Sequence, residues 1–537
     1  MTTAENGGSA ESASGSWRQF TFVLALLMVP SLFFVTGQSL WVDEANSAWF
    51  ATHAQGWNPD QFQGLAAVPE MPLFHILLMG WVRVFGDSER ALRAINVPFA
   101  ALFLGSVLAL CRAGKERFWW VPAVPFAFFP LLTYYVNECR PYAALLALST
   151  AAGCALLVYA RSAGRWLPWA CCLCGLFAFA MHMLGGLAVA VLTLLVLIDA
   201  DLRSKLRRDW KSWVTPVSVS LPGYIATGLY YAWITRKNFA VNHGDMNPET
   251  PGNMVSTWKN VAFFFYETLR FSGLGPPRNT LRVHAGVDSF HGYFWAVLLG
   301  TMATIAVCAC FLKAARGTAA KSRSIRLLGC CIAGLLALLF VSRAAHFGFF
   351  GRHGMALVSL LCCSLVLALS ERGVDDRLRY ATVALLIVAW GVSSARLLFV
   401  YPYGKDDVRS ALQAATAQGV PILWNAGRTD VAYYGGFDAG DDRQQEFHIA
   451  PAMATAHWRR LTVLRVLPNT QSAQTAAIAS RLAPGNYVMV KGKADVFDAD
   501  GSWSVAMAGW KPHLLNRLNG FDVWRVTVPA QEFRGPR

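Results

Sequence analysis

Long apolar segments are the feature that most limits how this chain can fold. Residues 20–400 contain repeated apolar runs of about 16 to 22 residues, each able to cross about 30 Å of hydrocarbon as a helix. Hydrophobic residues make up 55% of the chain and charged residues 15%, which excludes an ordinary soluble globular protein. The sequence therefore predicts a polytopic α-helical membrane protein, because a helix satisfies its own backbone hydrogen bonds within lipid.

The positions of lysine and arginine predict how the spans are oriented. Much of the basic character behind the formal net charge of +15 lies in short links between apolar runs, as is typical of cytoplasmic loops. We therefore expect no nucleic-acid partner. Placing the basic links inside gives about eleven spans, within a range of roughly nine to thirteen. The predicted spans are 20–36, 94–110, 118–135, 142–160, 166–182, 184–198, 213–233, 293–311, 327–341, 354–369 and 380–400.

The same alternation divides the N-terminal part of the chain into regions. Residues 1–17 are rich in Ser, Gly, Ala and Glu, which predicts a disordered cytoplasmic tail. Residues 18–400 are expected to form the transmembrane domain, with long outer loops at 37–93 and 234–290. The apolar segment 71–85 is expected to stay outside or half-inserted, because a further crossing would reverse the orientation of the basic links that follow.

From residue 401 to 537 the composition changes. No later apolar run is long enough to span a membrane, and short alternating and buried segments predict a soluble α/β domain on the outer, periplasmic side. We expect a helix over 407–418 and strands over 420–425, 486–490, 502–507 and 521–528.

The twelve cysteines lie in or at the ends of apolar runs, and none follows Cys363. The cluster Cys171, Cys172 and Cys174 has a spacing that could suggest a metal site. It lies in an apolar segment with no charged or histidine neighbour close in sequence, which favours small packing residues. The sequence therefore predicts neither a structural disulfide nor a metal site.

Polar residues that are costly near hydrocarbon gather on the predicted outer face. Asp43 and Glu44 directly follow the first span. Acids can abstract protons, and arginine pairs bidentately with phosphate, so these residues together favour a membrane enzyme with Asp43 as its catalytic residue. The alternative role of Asp43 is a helix N-cap. Other outer-face candidates are Glu70, Arg93, Glu138, Arg140, His182, Arg343, His346, Arg352 and His353.

Several short motifs follow one another in a specific order. They are Asp43-Glu44, Pro72-Leu73-Phe74, Phe85-Gly86, Leu92-Arg93, Arg140-Pro141-Tyr142, His182, Arg352-His353 and Lys405-Asp406-Asp407-Val408-Arg409. Over most of the chain this order resembles the GT-C superfamily of polytopic glycosyltransferases, in the family 39-like branch of protein O-mannosyltransferases and the bacterial lipid A aminoarabinose transferase. Glu70-Met71 departs from the pattern, because relatives carry a basic residue and a proline there.

The resemblance implies a donor, an acceptor and a mechanism. The donor would be a sugar on a polyprenyl phosphate lipid, and the acceptor a glycan, lipid or protein of the envelope at the periplasmic face of a bacterial inner membrane. Asp43 would be the general base of an inverting transfer. Neither a metal nor another cofactor is expected. Arg93, Arg140 and Arg352 would stabilise the phosphate, Glu44 and Glu138 would orient arginines or bind sugar hydroxyls, and His182 and His353 would contact substrate.

Two other classes of protein fit parts of the sequence. A transporter or flippase of lipid-linked saccharides would also be polytopic, but transporters often carry inverted repeats and polar residues at mid-membrane. In this chain the polar residues lie near one face, and no internal repeat is found. A non-catalytic membrane protein with a glycan-binding outer domain would not need arginines beside Asp43.

Overall fold

A computed structural model describes most of the chain. The described residues are 8–53, 72–114, 118–162, 164–242, 261–262, 264–266, 273–277, 280–281, 287–316, 322–344, 351–371, 373–426, 433–434, 448–449, 461–463, 479, 482–492 and 501–529. The candidates Glu70 and His346 lie outside these residues, and Arg343 is described only as part of a helix.

The N-terminal 400 residues are built from helices. The α-helices are α1 (Gly8–Phe33), α2 (Val42–His53), α3 (Pro72–Phe85), α4 (Glu89–Ala94), α5 (Val97–Arg112), α6 (Pro130–Val136), α7 (Tyr142–Arg161), α8 (Leu167–Met181), α9 (Gly185–Ile198), α10 (Ala200–Arg208), α11 (Lys211–Asn242), α12 (Phe294–Arg316), α13 (Arg323–Ala344), α14 (Met355–Leu369) and α15 (Asp376–Phe399). Short 3₁₀ helices cover Val121–Phe128, Val287–Tyr293, Gly351–Gly354 and Tyr401–Tyr403.

These helices confirm the predicted polytopic architecture. Among the described residues, six helices are long and apolar enough to cross a membrane, or seven if α9 and α10, bent by 92°, count as one span. Shorter apolar helices cover Trp17–Phe33, Pro72–Phe85 and Leu167–Met181. Each predicted span falls on helical segments, apart from a few residues at its ends.

The predicted span 118–135 is broken rather than continuous. It consists of the 3₁₀ helix Val121–Phe128 followed by α6, and Pro122, Pro125 and Pro130 lie within it. Proline removes a backbone donor and clashes with the preceding turn, so a regular α-helix cannot run through this segment.

The centre of the helical part is formed by α7 and α14. Both are buried along almost their whole length, which places them away from lipid and among the other helices. Gly153 of α7 lies so close to Leu360 of α14 that an added Cβ would be 2.8 Å from that side chain. Small residues of this kind let two helix backbones approach closely. All twelve cysteines are described as free thiols.

The C-terminal part is a six-stranded sheet with helices on its faces. The strands are β1 (Ile422–Asn425), β2 (His448–Ile449), β3 (Leu461–Val463), β4 (Gly485–Lys491), β5 (His513–Leu518) and β6 (Phe521–Val528), in the order β2-β3-β1-β4-β6-β5. β1 pairs in parallel with β3 and β4, and the remaining pairs are antiparallel. The predicted α/β character of this part is therefore confirmed.

Two helices cover the two faces of this sheet. Helix α16 (Val408–Thr416) packs on the face that presents Ile422 and Trp424, while α17 (Ser502–Ala508) packs on the face that presents Leu423. This division follows from the alternation of side chains along a strand. Asp407 caps α16 by accepting from the amide of Ser410 at 3.1 Å.

Two local predictions are wrong. Residues 502–507 form helix α17 instead of a strand, because Trp503 and Met507 are four residues apart and bury one helical face. Helix α1 begins at Gly8, so it includes residues from the tail predicted to be disordered. Alanine and glutamate in that tail are good helix formers, and the apolar part of α1 provides an existing helix to extend.

Candidate active site

Asp43 lies in the first turn of α2 and faces two arginines. Its Oδ2 accepts a hydrogen bond from Arg352 Nη1 at 2.8 Å, and Arg140 Nη2 lies 3.7 Å from the same oxygen. The side chain of Asp43 is 23% exposed, so the carboxylate is reachable from outside the protein. Three segments far apart in sequence therefore meet at one carboxylate.

The two arginines are held at the ends of helices. Arg140 lies between α6 and α7 and is anchored by its own amide, which donates to the carbonyl of Glu138 at 2.7 Å. Arg352 belongs to the 3₁₀ turn before α14. Burial opposes the charge of Arg140, but Tyr142 and Asp43 raise its pKa above the ordinary value. Among the described residues, the buried Nε of Arg140 has no hydrogen-bond partner.

Glu44, the neighbour of Asp43, is in a different environment. It is fully buried and forms a bidentate pair with Arg93, at 3.0 Å from Arg93 Nε and 2.9 Å from Arg93 Nη2. The amide of Cys139 also donates to Glu44, at 2.8 Å. Burial alone would raise the pKa of Glu44, but the charges of Arg93 and Lys405 hold it below its ordinary value.

All the hydrogen bonds that Arg93 donates go to other residues of the protein. Its Nη1 donates to the carbonyls of Thr36 and Gln38, at 3.1 and 2.6 Å, and its Nη2 also donates to the carbonyl of Ser39 at 3.1 Å. With the two bonds to Glu44, all five N–H donors of the guanidinium are used. The predicted contact of Arg93 with a substrate phosphate does not fit this geometry; Arg93 instead holds the loop that leads to Asp43.

Glu138 forms a second buried pair, with a residue that follows the last span. Lys405 Nζ lies 3.4 Å from Glu138 Oε2 and 3.7 Å from the ring centre of Tyr134. Glu138 Oε1 accepts from the indole of Trp41 at 3.0 Å. Burial opposes the charge of Lys405, but Glu138 and Tyr134 raise its pKa above the ordinary value. Sequence motifs mark Lys405 only as part of a longer match, and its burial beside Glu138 emerges from the fold.

His182 is a buried neutral histidine beside the arginines. It ends α8, and its Nδ1 accepts from the amide of Leu184 at 3.1 Å. Its buried Nε2 has no hydrogen-bond partner among the residues described. Burial, together with the smaller effects of Arg140, His353 and Arg352, lowers the pKa of His182 to about 3. Since Nδ1 is an acceptor, the proton of the neutral ring lies on Nε2.

The predicted residues therefore separate into two layers. The inner layer surrounds Asp43, and the second layer holds the loops that carry it. The inner layer contains Asp43, Arg140, His182, Arg352 and the half-buried His353, while Glu44, Arg93 and Glu138 form the second. Within the residues that the structure describes, no three His, Cys, Asp or Glu side chains are grouped as metal ligands.

Comparison with known proteins gives matches at the level of structure. No protein-family model matches the chain, and no curated protein matches it. ArnT from Cupriavidus metallidurans in the apo state is similar over 98% of this chain and 100% of that chain, with 12% sequence identity and a TM-score of 0.46. ArnT bound to undecaprenyl phosphate covers the same shares, with 13% identity and a TM-score of 0.38.

An archaeal oligosaccharyltransferase is also similar. AglB from Archaeoglobus fulgidus, in complex with an inhibitory peptide and a dolichol-phosphate, matches 97% of this chain and 75% of its own, with 12% identity and a TM-score of 0.43.

Proposed function

We propose that the protein is a GT-C-type membrane glycosyltransferase that moves a sugar from a polyprenyl-phosphate lipid to an acceptor of the bacterial envelope. One observation carries the proposal: Asp43 is a reachable carboxylate held between two arginines. Donor class, acceptor class and periplasmic location follow the motif resemblance. The reaction is assigned to the face of the inner membrane on which these residues lie.

Asp43 is the general base of the proposed reaction. One of its oxygens is bound by Arg352, and the other accepts no hydrogen bond from the described residues. That oxygen takes the proton of an acceptor hydroxyl while the hydroxyl oxygen forms a bond to the anomeric carbon. The bond from this carbon to the donor phosphate breaks with its electron pair, so the configuration inverts and a lipid phosphate leaves.

Arg140 and Arg352 stabilise the leaving phosphate. Together with the charge of Asp43, the two guanidinium groups leave a net charge of +1 beside the reacting atoms. A phosphodiester donor carries a single negative charge, which this excess matches, and arginine offers paired donors for phosphate oxygens. The leaving group is already a stable anion, so positive charge matters more than a general acid.

His182 contributes a neutral hydrogen-bond donor. Its Nδ1 is occupied by the amide of Leu184, so Nε2–H points away from that bond and is buried near Arg140. We assign this group to a sugar hydroxyl or a phosphate oxygen of the donor. Glu44, Arg93 and Glu138 position the site in this proposal, and no metal or cofactor takes part.

The test is transfer from labelled polyprenyl-phosphate sugars by membranes that contain the protein. Asp43→Asn keeps the shape of the side chain and removes its basicity, so turnover should fall at least about 10²-fold. Asp376→Asn is the matched control, because Asp376 is 71% exposed at the start of α15 and pairs with Arg379 at 3.0 Å. Its turnover should equal that of the wild type.

Three outcomes separate the hypotheses. Label that reaches an acceptor with the wild type and not with Asp43→Asn supports the transferase, and the product identifies the acceptor. Equal turnover by Asp43→Asn contradicts the assignment of the base. If no donor is used but the wild type moves lipid-linked sugar across vesicles, the protein is the alternative transporter or flippase.

A further inference from the structure

The loop between α1 and α2, residues 34–41, leads directly to Asp43. Residues of the C-terminal domain form hydrogen bonds with it. Arg409 Nη2 donates to the carbonyl of Gly37 at 3.1 Å, and the amide of Arg409 donates to Ser39 Oγ at 3.1 Å. The hydroxyl of Tyr434 accepts from the amide of Leu40 at 2.7 Å. Arg409 and Tyr434 of the C-terminal domain therefore bind Gly37, Ser39 and Leu40 of this loop.

A carboxylate of the helical domain joins these two residues to each other. Glu89, the first residue of α4, accepts from Arg409 Nη1 at 3.0 and 2.8 Å through its two oxygens. It also accepts from the hydroxyl of Tyr434 at 2.7 Å. We call Glu89, Arg409 and Tyr434 the outer clamp. Because Nη1 of Arg409 bonds Glu89 and Nη2 bonds the carbonyl of Gly37, the guanidinium is fixed in orientation as well as in distance.

The opposite side of the same loop is held from within the helical domain. Arg93 donates to the carbonyls of Thr36, Gln38 and Ser39 from its buried position. Glu89 and Arg93 both belong to α4. This short helix therefore positions both the outer clamp and the buried arginine that contact the loop. The loop thus lies between a buried arginine of the membrane part and an arginine of the C-terminal domain.

We infer that the outer clamp positions the catalytic loop, which makes the C-terminal domain part of the catalytic unit. The inference rests on the proposed function, because it assigns the clamp an effect on the reaction of Asp43. The loop has no helix or strand of its own, and side-chain contacts set its path. A catalytic group displaced by about 1 Å can lose about 10²-fold in rate, although no bond to substrate is removed.

The outer clamp is therefore a set of positioning residues, and its loss has a characteristic kinetic signature. Arg409→Gln and Tyr434→Phe should lower kcat about 10-fold to 10²-fold. They should leave the KM for the lipid donor within about twofold, because Arg140 and Arg352 are untouched. Glu89→Gln should also lower kcat. If Arg409 and Tyr434 act as one clamp, the double variant Arg409→Gln with Tyr434→Phe should lose no more kcat than the more damaging single variant.

Arg517→Gln is the matched control. Arg517 is also an arginine of the C-terminal domain in an ion pair, 3.1 Å from Asp522, but this pair lies within the β5–β6 ladder and does not contact the loop. Its kcat should equal that of the wild type. Arg409→Lys provides a second comparison: it keeps the charge and lacks the fork that reaches Glu89 and Gly37 together, so it should restore only part of kcat.

Hydrogen exchange of the intact protein gives a readout that does not depend on the reaction. In Tyr434→Phe the amide of Leu40 loses its acceptor, so exchange in the peptide that covers residues 36–43 should accelerate while exchange in α7 stays unchanged. If this acceleration is seen but the wild type transfers no sugar, the clamp stands and the proposed function fails. If exchange and kcat both stay at wild-type values in Arg409→Gln and Tyr434→Phe, the inference is overturned.

Discussion

Two aspartates at opposite ends of the helical domain each lie between two arginines, yet their environments differ. Asp43 is 23% exposed, and only its Oδ2 is bound by the residues described. Asp199 is fully buried: its Oδ1 accepts from the amide of Leu202 at 2.9 Å, and its Oδ2 lies 2.9 Å from Arg323 and 2.8 Å from Arg326. We call the group of Asp43, Arg140 and Arg352 the open cluster, and the group of Asp199, Arg323 and Arg326 the closed cluster. Each contains one aspartate and two arginines.

The difference shows how similar partners can close one carboxylate and leave another partly open. Asp199 caps α10 and ties the bend after α9 to the start of α13, and both of its oxygens are used for that purpose. The Oδ1 of Asp43 accepts no hydrogen bond from the described residues, and the side chain stays partly exposed. Helix α9 is about 20 Å long and separates the two clusters, since it begins beside His182 and ends at Asp199.

The largest expected effect is on stability and comes from the closed cluster. Asp199→Ala leaves Arg323 and Arg326 without their carboxylate and removes a helix cap. Breaking a buried pair in this way costs about 3–5 kcal/mol of unfolding free energy. Asp43→Ala removes a partly exposed partner and should cost less than about 2 kcal/mol. Unfolding in one detergent, followed by loss of helical signal, measures both.

Asp199→Asn sharpens this comparison, because the amide oxygen can still cap α10 while the charge is lost. Its stability should lie between those of the wild type and Asp199→Ala. The contrast between the clusters would be refuted if Asp43→Ala proved the more destabilising of the two alanine variants.

The sequence predicts the position of the open cluster better than the roles of its residues. Apolar run length and the positions of Lys and Arg are local properties, so they were enough to predict the spans and the convergence of Asp43, Arg140 and Arg352. Whether a carboxylate is closed depends on residues distant in sequence. Nothing in the chain around Asp199 indicates that Arg323 will reach it, and the adjacent residues Asp43 and Glu44 have opposite exposures.

The next effect concerns the rate and comes from the open cluster. Arg352→Gln and Arg140→Gln each remove a charge that the proposed reaction places at the leaving phosphate, and loss of one such donor costs about 10²-fold to 10³-fold in kcat. Arg323→Gln removes the same charge from the closed cluster and should leave kcat at the wild-type value. Transfer rates, normalised to folded protein, check all three variants.

Arg352→Lys extends this test, because lysine keeps the charge without the planar fork. Its rate should lie between those of Arg352→Gln and the wild type. The assignment of the open cluster to the phosphate would be abandoned if Arg323→Gln reduced kcat as strongly as Arg352→Gln.

Arg93 illustrates why the role of a residue is harder to predict than its location. Its motif and its position at a span end favour a phosphate contact, but the fold turns it inward, where five acceptors surround it. The outer clamp is a similar case, because Glu89 and Arg409 are separated by 320 residues and become partners only when the C-terminal domain packs. Residues 502–507 show the same limit within one element, since a short apolar alternation fits either a strand or one helical face.

The smallest effect is a pH dependence of the open cluster. The pKa of His182 in the folded protein is about 3, below its ordinary value of 6.5, so the unfolded chain binds a proton in this range that the folded protein does not. The contribution of His182 to stability is therefore complete above pH 6.5 and falls as the pH decreases, by at most about 1.4 kcal/mol per pH unit.

His182→Gln should remove this dependence of stability on pH. The wild type should lose stability between pH 6.5 and pH 5 while the variant does not lose this contribution, so the difference in their unfolding free energies should shrink. His513→Gln is the control, because His513 is exposed on β5 and the wild-type slope should persist in it. A slope that survives in His182→Gln would mean that another group takes up the proton. That result would also remove the basis for a neutral Nε2–H donor beside Asp43, because the fixed protonation state of His182 underlies both expectations.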